Sequence, residues 1–374
     1  MLGLAGLPLG MNFRFMDPSA ESPAREVGEL VLGGFEDAAA LDRFVRGVEL
    51  ITFEFENVPA ETLLRLEGKT CVFPGVLSLQ IGQDRAKEKA LFTKVGIPVP
   101  EYAIVNRPED VTVAAEKVGT PCVVKTLRMG YDGKGQATAG RAGEPVLRGA
   151  GAAAAIGKAW QAIGAQPAIV ERMVAFEREV SILGVRSRSG ECRFYAPVEN
   201  VHEGGILRRS IAPAGIDEGV AKKGFEQVRK VMEALGHVGV MAVEFFVVGG
   251  ELLANEMAPR VHNSGHWTIE GAVTSQFENH LRAVSGLALG PCESRGACGM
   301  VNLIGDAPAT ADLAKVEGAK VHLYGKRARA GRKIGHVTVV GEDMGSVRRT
   351  IGEVEGLIAA LHPRTETTTT MRSA

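Results

Sequence analysis

Two glutamates on one predicted hairpin are the side chains of this sequence best suited to binding a cation. Glu244 and Glu256 each interrupt an apolar strand pattern, and they lie twelve positions apart. A three-residue loop over 249–251 would pair Val248 with Leu252 and would place the two carboxylates directly opposite each other. Opposed like charges are destabilising, and Mg²⁺ is commonly held by one or two carboxylates together with substrate phosphates. The pattern predicts a magnesium site, and the alternative is a solvated strand face with two ordinary acids.

A glycine-rich loop, residues 128–136, follows a short apolar strand pattern that contains Lys125. Its glycines let the backbone come close to an anion, and successive N–H groups can surround a phosphate. Lys125 and Lys134 add positive charge, although the loop matches neither the G-x-x-x-x-G-K-[ST] pattern nor the G-x-G-x-x-G pattern. We expect a phosphate-binding loop of another design, and the alternative is a plain flexible hairpin.

An apolar connector lies within residues 169–181, between a strand pattern that ends at Glu171 and another that begins near Glu179. It contains Val174 and Phe176. An apolar connector flanked by acids suits a purine base with a ribose hydroxyl nearby. Taken alone, the segment also fits a solvated linker between two domains.

Polar side chains are concentrated in residues 258–268, directly after the strand pattern that carries Glu256. Functional loops commonly lie at such places. Arg260 suits a phosphate or a carboxylate, and Asn263 could complete the coordination shell of a metal ion. His262 lies between these two residues in the sequence. No zinc-binding helix or neighbouring cysteine points to zinc. The alternative is a loop whose side chains only satisfy buried backbone groups.

A basic run occupies residues 326–336. Such runs are commonly just solvated, and the absence of interleaved aromatic residues argues against nucleic acid. Gly331 and Gly335 lie close to Arg332 and Lys333, which favours a small phosphorylated ligand.

Composition excludes several classes of protein. The 374 residues are 45% hydrophobic and 23% charged, with a net charge of −1, so no global attraction to nucleic acid or anionic membranes is expected. The five cysteines form no C-x-x-C pair, which indicates a reducing cytoplasmic location rather than a disulfide framework. No apolar run is long enough for a membrane helix, and the apolar start lacks a basic region, so neither a membrane span nor a signal peptide is expected.

Four segments follow from the periodicity of the chain. Alternating strand and helix patterns predict an α/β domain over 1–95. Residues 96–172 are expected to form a smaller α+β unit that contains the glycine-rich loop. Residues 173–362 are expected to form a larger α+β unit that contains the hairpin. The Thr/Ser-rich tail, 363–374, is predicted to be disordered.

Taken together, these motifs resemble the ATP-grasp enzymes, and within them the N5-carboxyaminoimidazole ribonucleotide synthase branch of purine biosynthesis. The resemblance covers residues 1 to about 362 and is carried by YDGKGQ at 131–136, NEMAPRVHNSGHWT at 255–268 and GRKIGH at 331–336, supported by QDRAKEK at 83–89 and TFEFENVP at 52–59. It implies α/β and α+β units arranged as an ATP-grasp fold behind a Rossmann-like pre-ATP-grasp domain, in a cytoplasmic homodimer. The implied reaction carboxylates 5-aminoimidazole ribonucleotide with bicarbonate and Mg²⁺–ATP, through carboxyphosphate, without nucleic-acid or membrane partners.

The resemblance also implies a role for each matching residue. Glu244 and Glu256 would bridge Mg²⁺ to ATP. The ATP phosphates would be held by Arg85, Lys125, Gly130, Gly133, Lys134, Gly135 and Gln136. Adenine and ribose would contact Glu171, Val174 and Glu179. The catalytic residues would be Tyr131 and Asp132 near the amine, and Arg260, His262 and Asn263 near bicarbonate or carboxyphosphate. The phosphate of the ribonucleotide would be bound by Lys326, Arg332 and Lys333.

One departure from the family pattern affects the second substrate. The family begins with a strand and a G-x-G-Q-L-G-R turn, whereas MLGLAGLPLG, residues 1–10, matches the inside of the helix that follows them. We expect an unfilled strand position in the first sheet and weaker binding of the ribonucleotide. The favoured cause of the departure is a translation start assigned too far downstream.

Two other functions stay open at this point. A formate-dependent glycinamide ribonucleotide transformylase-like ligase is disfavoured by Tyr131 and Asp132. A weakly active nucleotide-binding protein would follow from the departure at the N-terminus. A dehydrogenase is disfavoured because the dinucleotide fingerprint is missing.

Overall fold

The computed structural model describes residues 1–130 and 133–361. The predictions for Tyr131, Asp132 and the tail 363–374 therefore lie outside the described residues. Within the described ranges, no helix combines the length and apolarity that crossing a bilayer requires.

The first part of the chain alternates strands and helices, as predicted. Its strands are β1 (Arg14–Asp17), β2 (Glu29–Leu32), β3 (Leu50–Ile51) and β4 (Cys71–Val72). Its helices are α1 (Leu2–Gly6), α2 (Ala38–Val45), α3 (Ala60–Glu67) and α4 (Val76–Gly82), with 3-10 turns at Leu7–Leu9 and Pro23–Glu26. Asp37 caps the start of α2, because its carboxylate accepts hydrogen bonds from the backbone N–H groups of Ala39 and Ala40.

The strands of this first part form two separate parallel pairs. β1 pairs with β2, and β3 pairs with β4. No strand among the described residues joins the two pairs. β3 has only two residues.

Helix α5 (Arg85–Lys94) connects this part to the rest of the molecule. Asp84 caps its first turn by accepting hydrogen bonds from the backbone N–H groups of Ala86 and Lys87. The N-terminal end of α5 therefore projects Arg85 at the place where the two larger sheets approach each other.

A four-stranded antiparallel sheet follows, with strand order β5-β8-β6-β7. The strands are β5 (Tyr102–Val105), β6 (Cys122–Thr126), β7 (Gln136–Ala139) and β8 (Ala168–Arg172). Helices α6 (Asp110–Lys117) and α7 (Ala150–Ala162) cover one face, where Val111, Ile156 and Trp160 are buried. The glycine-rich loop joins β6 to β7.

The largest sheet has nine strands in the order β14-β13-β9-β11-β12-β15-β17-β16, with β10 on β9. The strands are β9 (Arg178–Arg186), β10 (Cys192–Phe194), β11 (Val198–Glu203), β12 (Ile206–Ala212), β13 (Gly239–Val248), β14 (Glu251–Ala258), β15 (Ala297–Ile304), β16 (Ala319–Leu323) and β17 (Lys333–Gly341). The helices are α8 (Glu218–Ala234), α9 (Thr268–Gly271), α10 (Gln276–Ser285), α11 (Thr310–Leu313) and α12 (Met344–Ala360), with a 3-10 turn at Asn263–Gly265. Val228, Val231 and Met232 of α8 are fully buried in the core of this unit.

The hairpin of β13 and β14 confirms the predicted pairing of Glu244 with Glu256 but corrects the predicted turn. Val248 pairs with Glu251, not with Leu252. The connection is a two-residue turn in which Gly249 and Gly250 have φ values of 57° and 76°, as a type I′ turn requires.

A β-bulge restores the register of this hairpin. Phe245 pairs with Ala254 and Glu244 pairs with Glu256, so Asn255 is the extra residue on β14. Without this extra residue, Asn255 rather than Glu256 would lie opposite Glu244, and the two glutamates would point to opposite faces of the sheet.

Candidate active site

A cavity of about 430 Å³ lies where the two larger sheets and the start of α5 meet. Most of the predicted site residues line it. They are Arg85, Lys125, Gly130, Gly133, Lys134, Gln136, Glu171, Val174, Glu179, Glu244, Glu256, Arg260, His262, Asn263 and Lys333. Among the other predicted residues that the structure describes, Gly135, Lys326 and Arg332 do not line this cavity.

The two opposed glutamates lie in different surroundings. The Glu244 side chain is 13% exposed, whereas that of Glu256 is 45% exposed. Burial, followed by the charge of Glu256, raises the pKa of Glu244 to about 8. The pair is thus a site where a divalent cation would relieve electrostatic repulsion.

Positive charge faces the same space from the neighbouring elements. The Lys125 ammonium lies 2.5 Å from Oε2 of Glu171 and 3.4 Å from Oδ1 of Asn255. Arg85 donates to the carbonyl oxygens of Thr126 and Gly130 at 3.1 and 3.2 Å, and lies 3.9 Å from Oε2 of Glu256. Lys125 and Arg85 can therefore bind the phosphates of a nucleotide, while the two glutamates bind the metal ion that accompanies it.

The backbone of the glycine-rich loop closely approaches the turn between β11 and β12. Gly133 and Gly205 both have positive φ, 75° and 78°. A Cβ atom on Gly205 would lie 2.5 Å from Cα of Gly133, and one on Gly133 would lie 2.5 Å from the carbonyl oxygen of Gly204. Only glycine permits this approach, which fixes one end of the loop above the cavity.

Glu171 lines the cavity, and its carboxylate is paired with two lysines that the sequence did not indicate as its partners. It is 4% exposed and lies 2.8 Å from the ammonium of Lys89 as well as 2.5 Å from that of Lys125. Burial favours the neutral form, but Lys125 and Lys89 outweigh that effect and lower the pKa of Glu171 to about 2. The carboxylate therefore orients Lys125.

The remaining wall of the cavity is partly aromatic and partly polar. Phe176 of the predicted connector stacks on Phe246, with ring centroids 4.9 Å apart. Glu179 forms a hydrogen bond with Nδ1 of His202, and both residues line the cavity. A flat apolar surface beside a polar pair suits a purine base with its ribose.

The segment 258–268 brings three predicted residues to the far side of the glutamates. Arg260 is paired with Glu56 at 2.8 Å. Nε2 of His262 lies 3.6 Å from Oε1 of Glu244, and burial, followed by the nearby Arg260, lowers the pKa of His262 well below its usual value. Nδ2 of Asn263 is buried without a hydrogen-bond partner in the described part of the chain, as expected for a donor that awaits a ligand.

The basic run is divided between two environments. Lys333 begins β17 and lines the cavity, whereas Lys326 lies over the ring of Tyr324, 5.4 Å from its centroid. Partial desolvation, followed by repulsion from Arg332 and Lys333, lowers the pKa of Lys326. Lys326 and Arg332 therefore lie outside the cavity, and Lys326 is close enough to Arg332 and to Lys333 for their charges to repel it.

Four residues around the cavity were not predicted. Glu56 and His202 pair with Arg260 and Glu179, and Glu88 and Lys89 lie buried in α5. The last two belong to the segment QDRAKEK at 83–89, where a run of charged residues does not indicate which of them are buried.

Family models match the chain in three consecutive segments. Residues 1–83 match the ribonucleotide synthetase preATP-grasp domain, and residues 90–277 match the ATP-grasp domain. Residues 298–350 match the phosphoribosylaminoimidazole carboxylase C-terminal domain.

Individual relatives extend this similarity over nearly the whole chain. The N5-carboxyaminoimidazole ribonucleotide synthase of Pseudomonas aeruginosa is 46% identical over 361 residues, covering 96% of each chain. The crystal structure of the N5-carboxyaminoimidazole ribonucleotide synthetase of Thermus thermophilus is 50% identical, with a TM-score of 0.89 over 96% of this chain and 95% of the other. The Aspergillus clavatus enzyme, solved with ADP and 5-aminoimidazole ribonucleotide, is 27% identical with a TM-score of 0.85, covering 96% and 95%.

Proposed function

This chain belongs to the family of N5-carboxyaminoimidazole ribonucleotide synthases, and we propose how its cavity carries out the family's reaction. It is an ATP-grasp ligase of purine biosynthesis that carboxylates 5-aminoimidazole ribonucleotide in an ATP-dependent reaction. The observation that carries the proposal is the opposed pair Glu244 and Glu256, which faces Lys125 and Arg85 across one cavity.

The glutamate pair would hold Mg²⁺. Two carboxylates are hard oxygen ligands. Burial, followed by repulsion from Glu256, raises the pKa of Glu244, and a divalent cation would offset both effects. Among the described residues, no group of three or more His, Cys, Asp or Glu side chains could hold a metal unaided, which suits an ion that takes its remaining ligands from phosphate and water. When bound, Mg²⁺ neutralises charge on the β- and γ-phosphates.

The nucleotide would lie between the two larger sheets. Lys125, Arg85 and the loop residues Gly130 and 133–136 would contact its phosphates, since they supply cationic side chains and close backbone approach. Val174 and the Phe176–Phe246 stack would contact adenine. Glu179 would contact ribose, whereas Glu171 would act through Lys125 because its carboxylate is already engaged.

Bicarbonate would occupy the space near Arg260, His262 and Asn263. Arg260 attracts anions, and Asn263 offers a donor that has no partner in the described ranges. Tyr131 and Asp132 would face the exocyclic amine, and this role stays a prediction from the motif. Lys326, Arg332 and Lys333 would bind the phosphate of the ribonucleotide, since Lys333 lines the cavity and Lys326 feels the charges of both Arg332 and Lys333.

The proposed reaction proceeds in two steps. An oxygen of bicarbonate attacks the γ-phosphorus, the bond to the ADP oxygen breaks, and carboxyphosphate and ADP form. The amine nitrogen then attacks the carboxyl carbon, or the carbon dioxide that carboxyphosphate releases. The C–O bond to phosphate breaks, phosphate departs, and the nitrogen loses a proton. Cationic side chains stabilise the developing charge, so no covalent enzyme intermediate is required.

Two further properties are expected from the family resemblance. We expect a homodimer, which light scattering of the purified protein would detect. The cytoplasmic location expected from the unpaired cysteines is also a prediction, and cell fractionation tests it.

Release of ADP from the purified protein tests the function directly. We expect release only when ATP, Mg²⁺, bicarbonate and 5-aminoimidazole ribonucleotide are all present, with omission of each as a control. Release that depends instead on glycinamide ribonucleotide and formate would replace the proposal with the transformylase function. ATP binding without turnover under every condition would favour a nucleotide-binding protein.

A further inference from the structure

The strand that carries Glu256 lies at the edge of the nine-stranded sheet. β14 pairs with β13 on one side only. An edge strand presents a row of backbone N–H and C=O groups that need partners. In this protein the partners come from α5 and the segment that follows it, not from another strand.

Two adjacent side chains of α5 satisfy the outer edge of β14. The ammonium of Lys89 donates to the carbonyl oxygens of Ala254 and Asn255 at 3.2 and 2.6 Å. Oε1 of Glu88 accepts from the backbone N–H of Met257 at 2.5 Å. These contacts lie on either side of Glu256, and one of them falls on the bulge residue Asn255.

The backbone that follows α5 completes the edge. The N–H of Ala254 donates to the carbonyl oxygen of Pro98 at 2.8 Å. Glu88, Lys89 and Pro98 therefore act together as a substitute for a neighbouring strand over the stretch of β14 that includes the bulge.

Lys89 also contacts the four-stranded sheet. Its ammonium lies 2.8 Å from Oε1 of Glu171, which is itself 2.5 Å from Lys125 through its other oxygen. Lys89 is 1% exposed, and an ammonium has three N–H donors. It donates hydrogen bonds to two carbonyl oxygens and forms an ion pair with the carboxylate.

The burial of Lys89 requires this arrangement. A buried charge is costly unless it is paired and hydrogen-bonded, so the ammonium keeps the two carbonyl groups and the carboxylate close to one another. Those acceptors belong to the metal-binding hairpin and to the residue that orients Lys125.

We propose that Lys89, assisted by Glu88, is a positioning residue for the ligase reaction. It fixes the bulge at Asn255, and hence Glu256, relative to the Glu171–Lys125 pair. Lys89 does not line the nucleotide cavity, so its effect is transmitted through these neighbours. The inference rests on the proposed roles of Glu256 in binding Mg²⁺ and of Lys125 in binding phosphate.

The test compares Lys89→Met with Lys87→Met, a matched control because Lys87 is exposed on the same helix. We expect Lys89→Met to raise the Mg²⁺ concentration for half-maximal activity about tenfold and to lower kcat at least tenfold, while Lys87→Met matches the wild type. Circular dichroism establishes that each variant is folded. A folded Lys89→Met protein with wild-type kcat, KM for ATP and Mg²⁺ activation would overturn the proposal, even if its melting temperature were lower.

A second variant covers the case in which Lys89→Met does not fold. The double variant Lys89→Met/Glu171→Gln removes both members of the buried ion pair, which commonly restores folding. We expect it to fold and to need about tenfold more Mg²⁺ for half-maximal activity than the single variant Glu171→Gln, and equal Mg²⁺ activation in the two variants would overturn the inference.

The variant Glu256→Gln separates this inference from the function on which it rests. If Glu256→Gln is inactive while Lys89→Met behaves as wild type, only the positioning role fails. If Glu256→Gln is as active as the wild type, the proposed metal site fails and the inference with it.

Discussion

Glu244 and Glu256 are direct cross-strand neighbours because a bulge at Asn255 offsets a two-residue turn at Gly249 and Gly250. The turn alone would bring a different residue opposite Glu244. The position of the second carboxylate thus depends on one extra residue in an edge strand, and on the side chains that hold that residue.

Lys125 is expected to contribute binding energy for ATP. Replacing it with methionine removes a cation that Glu171 holds at 2.5 Å, and charge-assisted hydrogen bonds of this kind are worth roughly 1.5–3 kcal/mol. We expect KM for ATP to rise about 10- to 100-fold in Lys125→Met. The control Lys158→Met changes an exposed lysine on α7 of the same unit. Equal KM values for the two variants would contradict the role.

Gly205 is expected to control the position of the glycine-rich loop. In Gly205→Ala the new Cβ would meet Cα of Gly133 at 2.5 Å, so the loop must move away from the phosphates. We expect KM for ATP to rise severalfold, measured by steady-state ADP release. Gly249→Ala is the control, since Gly249 also has positive φ but a Cβ atom there would meet no described residue within 4 Å. Both variants place an alanine at positive φ, which costs about 1 kcal/mol of backbone strain. The difference between their KM values therefore reports the contact with Gly133.

Stability is expected to fall in mild acid because His237 is buried in its neutral form. Its ring contacts Ser78 and the carbonyl of Val240, and burial lowers its pKa to about 4. The unfolded chain takes up the proton near pH 6.5, so the stabilisation present above pH 6.5 is lost as the pH falls towards 4.

Urea unfolding at pH 7 and pH 5 measures this loss. We expect His237 to account for a decrease of about 2 kcal/mol in the free energy of unfolding between these pH values. In His237→Gln the decrease should be smaller by about that amount. An unchanged pH dependence in the variant would show that His237 does not cause it.

The sequence predicted which residues line the cavity better than it predicted the turn and the ion pairs that position them. Glu244, Lys125 and Arg260 each follow or interrupt a recognisable apolar strand pattern, so their place at strand positions or strand ends was predictable. The pairing of Glu244 with Glu256 was correct, yet the predicted three-residue turn was wrong. An even spacing is compatible with a longer turn or with a shorter turn and a bulge, and periodicity does not distinguish them.

The buried charged residues of α5 illustrate a different limit of prediction from sequence. Glu88 and Lys89 resemble the solvent-facing residues of a charged helix, and their burial becomes evident only when β14 is known to lack a neighbour on that side. Likewise, Glu171 was expected to face the nucleotide, whereas two lysines from distant parts of the chain engage its carboxylate. Both features arise from tertiary pairing that local sequence does not encode.

The most direct test of the account is the activity of Glu256→Gln at saturating ATP and Mg²⁺. The matched control is Glu251→Gln, which changes an exposed glutamate on the same strand, where Lys223 is its partner. We expect Glu256→Gln to lose at least about 100-fold in kcat, since it removes a ligand of the charge-neutralising metal. Glu251→Gln should retain wild-type kcat. Wild-type ADP release by a folded Glu256→Gln protein would contradict the assignment of the glutamate pair as the metal site.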